Sequence, residues 1–285
     1  MIENEAPLWV PAAENVERSQ MHKFKTHLEN KHDVTLPDYP AFHKWSVDNA
    51  EIFWSEYWGY AGIIGEKTGP VLINQNDLER AKFFPEAQIN YAENMLKRRD
   101  DAPALIFKTE QGAQRVQSFA DVYAAVSKIQ QAMIDAGIEK GDRIAAYMPN
   151  MPETIYVALA AAALGAIFSS ASPDFGVGGV TDRFGQTAPK LMFTVDHYYY
   201  GGKILDQREK LAQIILALPS LQKTIIVPYM DGDQDIADLP NTVTLDAFTA
   251  AYDVRDIVYS RVDFNHPLYI MFSSGTTGAP KCIVH

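Results

Sequence analysis

From about residue 99 onward the chain alternates short apolar runs with longer amphipathic ones, and this alternation limits the fold more than any other feature. Residues 104–109, 142–148, 166–171, 190–195, 224–227 and 268–272 read as strands. Between the first two, Ser118-Phe119-Ala120-Asp121 has the form of a capping box, followed by Val122, Val126, Ile129 and Met133 on one helical face and a stop at Gly137. A second helix is expected over 152–164, opened by Pro152 and ended by Gly165, and further helices over about 177–187 and 203–218. Strands joined by helical crossovers lie parallel and are covered on both faces, so the spacing predicts an α/β fold with a largely parallel sheet. Residues 231–240 hold four aspartates and one glycine and read as a surface loop. Neither an internal repeat nor a low-complexity stretch is visible.

Residues 1–98 have a different texture. They contain all four tryptophans (Trp9, Trp45, Trp54, Trp58), and a helix is expected to begin near Ser46 as N-cap, with Val47, Phe53, Trp54, Tyr57 and Trp58 along one broad face. Aromatics mixed with charge could form a nucleic-acid platform, but the stretch is not basic, which favours a structural helix packed on a larger domain. The net charge of −11 also argues against nucleic acid or an anionic membrane as a general partner. The single cysteine, Cys282, forms no internal disulfide and fits a reducing compartment; with no secretory signal at the start of the chain, a cytoplasmic protein is expected.

The last predicted strand runs into a distinctive loop, Ser273-Ser274-Gly275-Thr276-Thr277-Gly278-Ala279-Pro280-Lys281. Glycines let backbone N–H groups turn toward an anion, four hydroxyls can donate to phosphate oxygens, and Lys281 adds positive charge. It is not the Gly-x-x-x-x-Gly-Lys-Ser/Thr loop, because the lysine follows Pro280 and no Ser or Thr succeeds it. A polar surface turn is the alternative; the density of hydroxyls and glycines before Pro-Lys favours a triphosphate cradle.

The loop resembles the Ser/Thr-Gly-Ser/Thr-Thr-Gly-x-Pro-Lys signature of the adenylate-forming enzymes, which include the acyl-CoA synthetases. The likeness extends over nearly the whole chain. Residues 83–96 look like the entry segment of the short-chain acyl-CoA synthetases, the aromatic region 45–58 like their N-terminal extension, and 141–168 like their strand–helix–strand repeat. Three details lean toward the acetoacetate-activating members: the Ser172-Pro173-Asp174-Phe175-Gly176 turn, the run from Asp182-Arg183-Phe184 to Pro189-Lys190, and the closing Pro280-Lys281-Cys282-Ile283-Val284-His285. Activation of acetate or propionate, or a nucleotide-binding piece without turnover, stays open beside this reading.

What the resemblance implies is specific. The fold would be a three-layer α/β/α domain, with 1–98 as the helical extension and 99–285 as the first part of the adenylation domain. The reaction would join acetoacetate to CoA at the expense of ATP, with Mg²⁺, through an acyl-adenylate. Ser273, Ser274, Gly275, Thr276, Thr277, Gly278 and Lys281 would hold the ATP phosphates, with Thr277 and Lys281 acting in catalysis. Relatives continue past this loop with an adenine pocket, a Tyr-x-x-Thr-Glu segment whose glutamate helps bind Mg²⁺, a ribose-binding aspartate and a small mobile domain. None of these lies within 1–285, so the missing C-terminal half of the same polypeptide is an expected partner and the piece alone is expected to be inactive. An arginine expected near Tyr200 is absent, which leaves Lys203 as the candidate for a CoA phosphate, or else a solvated lysine at a helix start. Cys282 has no evident base beside it and reads as a small packed residue. His22, His27 and His32 recur every five residues, a spacing unsuited to a metal site on a helix, and Asp100-Asp101 reads as a solvated turn.

Overall fold

The structure is a computed structural model that describes residues 9–112, 114–229, 236–273 and 278–285. The chain divides into two compact units, Met1–Ala87 and Gln88–His285.

The first unit is mainly helical: α1 (Ala13–Arg18), α2 (Gln20–His32), α3 (Tyr39–Asp48) and α4 (Ala50–Tyr60), then short strands β1 (Gly65–Glu66), β2 (Leu72–Ile73) and β3 (Lys82–Phe83), the last two paired antiparallel. Two of its helices, α2 and α3, begin at side-chain caps. Ser19 Oγ accepts from His22 N at 3.1 Å, and Asp38 Oδ1 accepts from Ala41 N at 2.8 Å. The helix expected from Ser46 is therefore corrected: Asp38 and Pro40 start α3 earlier, Ser46 lies inside it donating to the His43 carbonyl, and the chain breaks at Asn49 before α4. Phe24, Leu28, Leu36 and Phe42 form the core. Of the expected aromatic face, Trp58 is buried against Phe84, whereas Val47, Trp54 and Tyr57 are exposed. His27, His32 and Lys31 converge on Glu56 at 3.3, 3.2 and 2.9 Å, tying α2 to α4. Burial works to raise the Glu56 carboxyl, but the hydrogen bonds from Lys31 and His27 outweigh it and hold the group below its ordinary value.

The second unit opens with β4 (Gln88–Ile89) and α5 (Tyr91–Met95), followed by the antiparallel pair β5 (Pro103–Lys108) and β6 (Gln114–Ser118). Next come α6 (Phe119–Asp135), β7 (Arg143–Tyr147), α7 (Pro152–Ala163), β8 (Ile167–Ala171), α8 (Val177–Thr187) and β9 (Leu191–Thr194). The hairpin β10 (His197–Tyr200) and β11 (Lys203–Asp206) precedes α9 (Arg208–Ala217), β12 (Lys223–Ile226), β13 (Thr242–Thr244) and α10 (Leu245–Thr249). Strands β14 (Val262–Asp263), β15 (Tyr269–Ser273) and β16 (Lys281–Val284) complete it.

The main sheet has the order β13-β12-β9-β7-β8-β15-β16, parallel throughout except for β16. Its central strands alternate between two cores, as a period of two requires. Ile144, Ala146, Leu191, Phe193 and Ile225 face the core shared with α6 and α7; Ala145, Tyr147, Met192 and Ile226 face the core shared with α8 and α9. This is the expected three-layer arrangement. The capping box is present, with Ser118 Oγ accepting from Asp121 N while Asp121 accepts from Ser118 N, and Gly137 and Gly165 end their helices at φ +73° and +70°.

Two expectations change. Residues 203–206 are a strand rather than the start of a helix, because Gly201 and Gly202, at φ +57° and +74°, turn the chain back on His197–Tyr200. Cys282 is exposed on β16 rather than packed, with its thiol 3.7 Å from Gln186 Oε1. The aspartate-rich loop lies partly outside the described residues, and Asp100-Asp101 is exposed at a bend as expected, with Asp100 also accepting from Arg98. Among the described residues no helix is long and apolar enough to cross a membrane.

Candidate functional site

Chemistry in a parallel α/β sheet concentrates where strands end at their carboxyl edge and loops diverge, because that is where a crevice opens. Adjacent strands β9, β7, β8 and β15 end there at Thr194, Tyr147, Ala171 and Ser273. The candidate loop leaves from Ser273. It returns as β16, and the antiparallel register sets Ser273 opposite Lys281 and Phe272 opposite Cys282. A half-buried hydroxyl residue and an exposed cation thus face each other at the mouth of one hairpin. Gly278, at φ +101°, adopts backbone that a side chain would strain. Ser274, Gly275, Thr276 and Thr277 lie outside the described residues.

The neighbouring turn, Ser172 to Gly176 after β8, is held by tyrosines that the sequence reading did not single out. The fully buried Tyr147 hydroxyl donates to the Phe175 carbonyl at 2.6 Å, with the Pro173 carbonyl at 2.9 Å. Tyr198 donates to Asp174 Oδ1 at 2.6 Å and Ser172 donates to Asp174 Oδ2 at 2.9 Å. Burial, helped by the nearby Asp174 carboxylate, pushes the Tyr147 hydroxyl up to about 12, and burial with the Asp174 hydrogen bond raises Tyr198 as well. Both tyrosines therefore act as neutral donors that fix the turn, and the two Asp174 oxygens accept from Tyr198 and Ser172. The one sequence sign of this was a tyrosine closing an otherwise small apolar strand, Ile144-Ala145-Ala146-Tyr147.

Helix α8 begins at Gly176, where that turn ends, and its far end reaches the loop: Gln186 Nε2 donates to the Pro280 carbonyl at 2.9 Å. Lys203 lies in a different hairpin from the loop. It is exposed at the start of β11, in the hairpin that follows β9, and β9 is separated from β15 by β7 and β8. Glu110 accepts from the Gly201 and Gly202 amides at 3.2 and 3.0 Å, which fixes the turn before Lys203. His285 stacks on Tyr269 with ring centroids 5.2 Å apart. Among the described residues no group of three or more His, Cys, Asp or Glu could hold a metal ion.

Over residues 92–285 the chain matches the model of the AMP-binding enzymes, and it belongs to that family. The similarity is closer still to particular members. The chain is 46% identical over 282 residues to the acetoacetyl-coenzyme A synthetase of Rhizobium meliloti strain 1021, covering 99% of this chain and 43% of that protein. It is 38% identical to the acetoacetyl-CoA synthetase of Xenopus tropicalis, covering 98% of this chain and 43% of that protein. The solved acetoacetyl-CoA synthetase of Streptomyces lividans superposes with a TM-score of 0.89 at 34% identity, over 98% of this chain and 43% of that one. The chain thus spans less than half the length of the curated relatives it matches.

Proposed function

We propose that this chain is the part of an acid–thiol ligase that holds the triphosphate of ATP. In this reading acetoacetate, ATP and CoA give acetoacetyl-CoA, AMP and pyrophosphate through an acyl-adenylate. The observation that carries it is the β15–β16 hairpin, which sets Ser273 against Lys281 at the carboxyl edge of a family-typical sheet. The acid is taken from the relatives whose names specify acetoacetyl-CoA synthesis.

Adenylation is attack of a carboxylate oxygen on the α-phosphorus with departure of pyrophosphate. Negative charge gathers on the departing group, so donors placed there in advance favour the transition state more than the ground state. Ser273, Ser274, Gly275, Thr276, Thr277 and Gly278 supply hydroxyls and amides for this, and Lys281 supplies the cation. Mg²⁺ accompanies the nucleotide and offsets further phosphate charge. Lys203, exposed beside a fixed turn, is assigned to a CoA phosphate. Residues 1–98 act as the extension and 99–285 as the first part of the adenylation domain, the remaining parts of the site being supplied by sequence that the longer relatives possess. The single cysteine fits a cytoplasmic setting.

The test is acid-dependent ATP–pyrophosphate exchange by the protein expressed from its whole gene, with acetoacetate, acetate and propionate compared. Exchange that prefers acetoacetate is expected. Preference for acetate or propionate would replace the acid, and no exchange with any of the three would overturn the ligase reading.

A further inference from the structure

One side chain outside the loop touches the residues on both sides of Lys281. Gln186, in the last turn of α8, donates through Nε2 to the Pro280 carbonyl at 2.9 Å and to its own helix at the Asp182 carbonyl at 2.5 Å. Its Oε1 stands 3.7 Å from the Cys282 thiol, which donates to it. The residues before and after Lys281 are therefore tied to a single amide. The platform under that amide is rigid. Phe184, two positions earlier, is fully buried, and its ring meets that of Phe272 on β15, the register partner of Cys282. The end of α8 is fixed as well: Arg143 donates to the carbonyls of Thr187 and Ala188 at 2.7 and 3.1 Å.

A flexible lysine at a hairpin mouth has many orientations, and a cation contributes to a transition state in proportion to how well it is placed beforehand. Here Lys281 is held by its own backbone pairing with Ser273, by the Pro280 carbonyl before it and by the Cys282 thiol after it. Two of these constraints come from Gln186. Glutamine suits the task because its amide donates and accepts at once, which neither glutamate nor leucine can do.

We infer that Gln186 is a positioning residue for Lys281, setting that cation against the phosphates of the nucleotide from the end of α8. This rests on the ligase reading above. The test uses the protein expressed from its whole gene, with Gln186→Leu and Gln186→Glu, and Lys281→Ala alone and combined with each. Gln186→Leu keeps the side-chain volume and removes both polar contacts; Gln186→Glu keeps the acceptor and places a carboxylate against the Pro280 carbonyl. Both are expected to lower kcat for exchange by about 10²-fold, with KM for ATP changed by less than about 3-fold, as for a misplaced catalytic group. Thermal unfolding midpoints are expected to match wild type. In the Lys281→Ala background neither substitution should lower kcat further, because a residue acting through Lys281 has nothing left to place. Wild-type kcat in both variants, or equal losses with and without Lys281, would overturn the positioning role while leaving the ligase reading intact. A wild-type protein without exchange would overturn that reading, and this one with it.

Discussion

At the scale of single residues, the most consequential side chain in the second unit is Asn90. It is fully buried and accepts from Glu93 N to cap α5, while its amide donates to the carbonyls of Ala162, Ala163 and Ser260 at 3.0, 3.1 and 2.8 Å. The first two carbonyls lie at the end of α7 and also accept from the Gly165 and Ser260 amides, at 3.0 and 2.8 Å. Asn90→Ala should therefore cost about 2 kcal/mol, the sum of a lost cap and of the lost side-chain hydrogen bonds that join α7 to the segment at Ser260. Urea denaturation would measure it, and a loss below about 1 kcal/mol would show that water replaces the amide. Nothing local announces this role, because the partners lie 72 to 170 residues away along the chain. The Ser118–Asp121 capping box and the helix stop at Gly165 were legible for the opposite reason: their meaning is settled within a single turn. Among candidate site residues, Ser273 and Lys281 were visible as chemistry, but Tyr147 and Gln186 were not, since both act on main chain brought to them by the fold.

At the scale of elements, the strands easiest to read were those buried on both faces, such as Leu191–Thr194, where apolar residues run without interruption. The edges were harder. Thr242–Thr244 is short and half-buried, and Lys281–Val284 is exposed along its length and begins with a charge, so neither has the pattern of a core strand. The hairpin at 197–206 carried a Gly-Gly turn signal, but the apolar spacing of Ile204, Leu205, Leu211 and Ile215 pointed to a helix; positive φ at both glycines prevailed. The structure also contains an element without regular form. Residues 253–258 run extended along α6 and are held by its polar side chains. Gln130 donates to the Val258 carbonyl and accepts from the Val258 amide, Ser127 does the same for Arg255, and Gln131 donates to the Asp253 carbonyl. Side-chain amides thus stand in for a strand partner, which explains why a helix with a clear apolar face also buries Ser127, Gln130 and Gln131. Gln130→Leu keeps the volume but removes both bonds to Val258, and a loss of about 1–3 kcal/mol is expected. Hydrogen exchange should locate the effect: faster exchange confined to 253–260 supports the pseudo-strand, and an unchanged pattern would refute it.

At the scale of the whole molecule, the sheet order sets where the β15–β16 hairpin lies. The chain adds β8 beside β7 on one side and then β9 on the other, and this reversal opens the carboxyl edge at the centre of the sheet. β15 then inserts next to β8, bringing the hairpin to the same edge as the tyrosine-held turn. In the proposed reading the deciding cation is Lys281, exposed at the head of an antiparallel strand. If it stabilises charge that appears only as pyrophosphate departs, its removal should be felt in the chemical step and barely in binding. Lys281→Ala in the whole-gene protein is thus expected to slow acid-dependent exchange by about 10²- to 10³-fold, equivalent to about 3–4 kcal/mol of barrier, with KM for ATP nearly constant. Thr277→Ala should fall in the same direction by a smaller factor, since a neutral donor contributes less than a charged one. A Lys281→Ala protein whose KM for ATP rises while kcat holds would assign the lysine to ground-state binding, and the hairpin would then be a docking site for the nucleotide rather than the device that drives its cleavage.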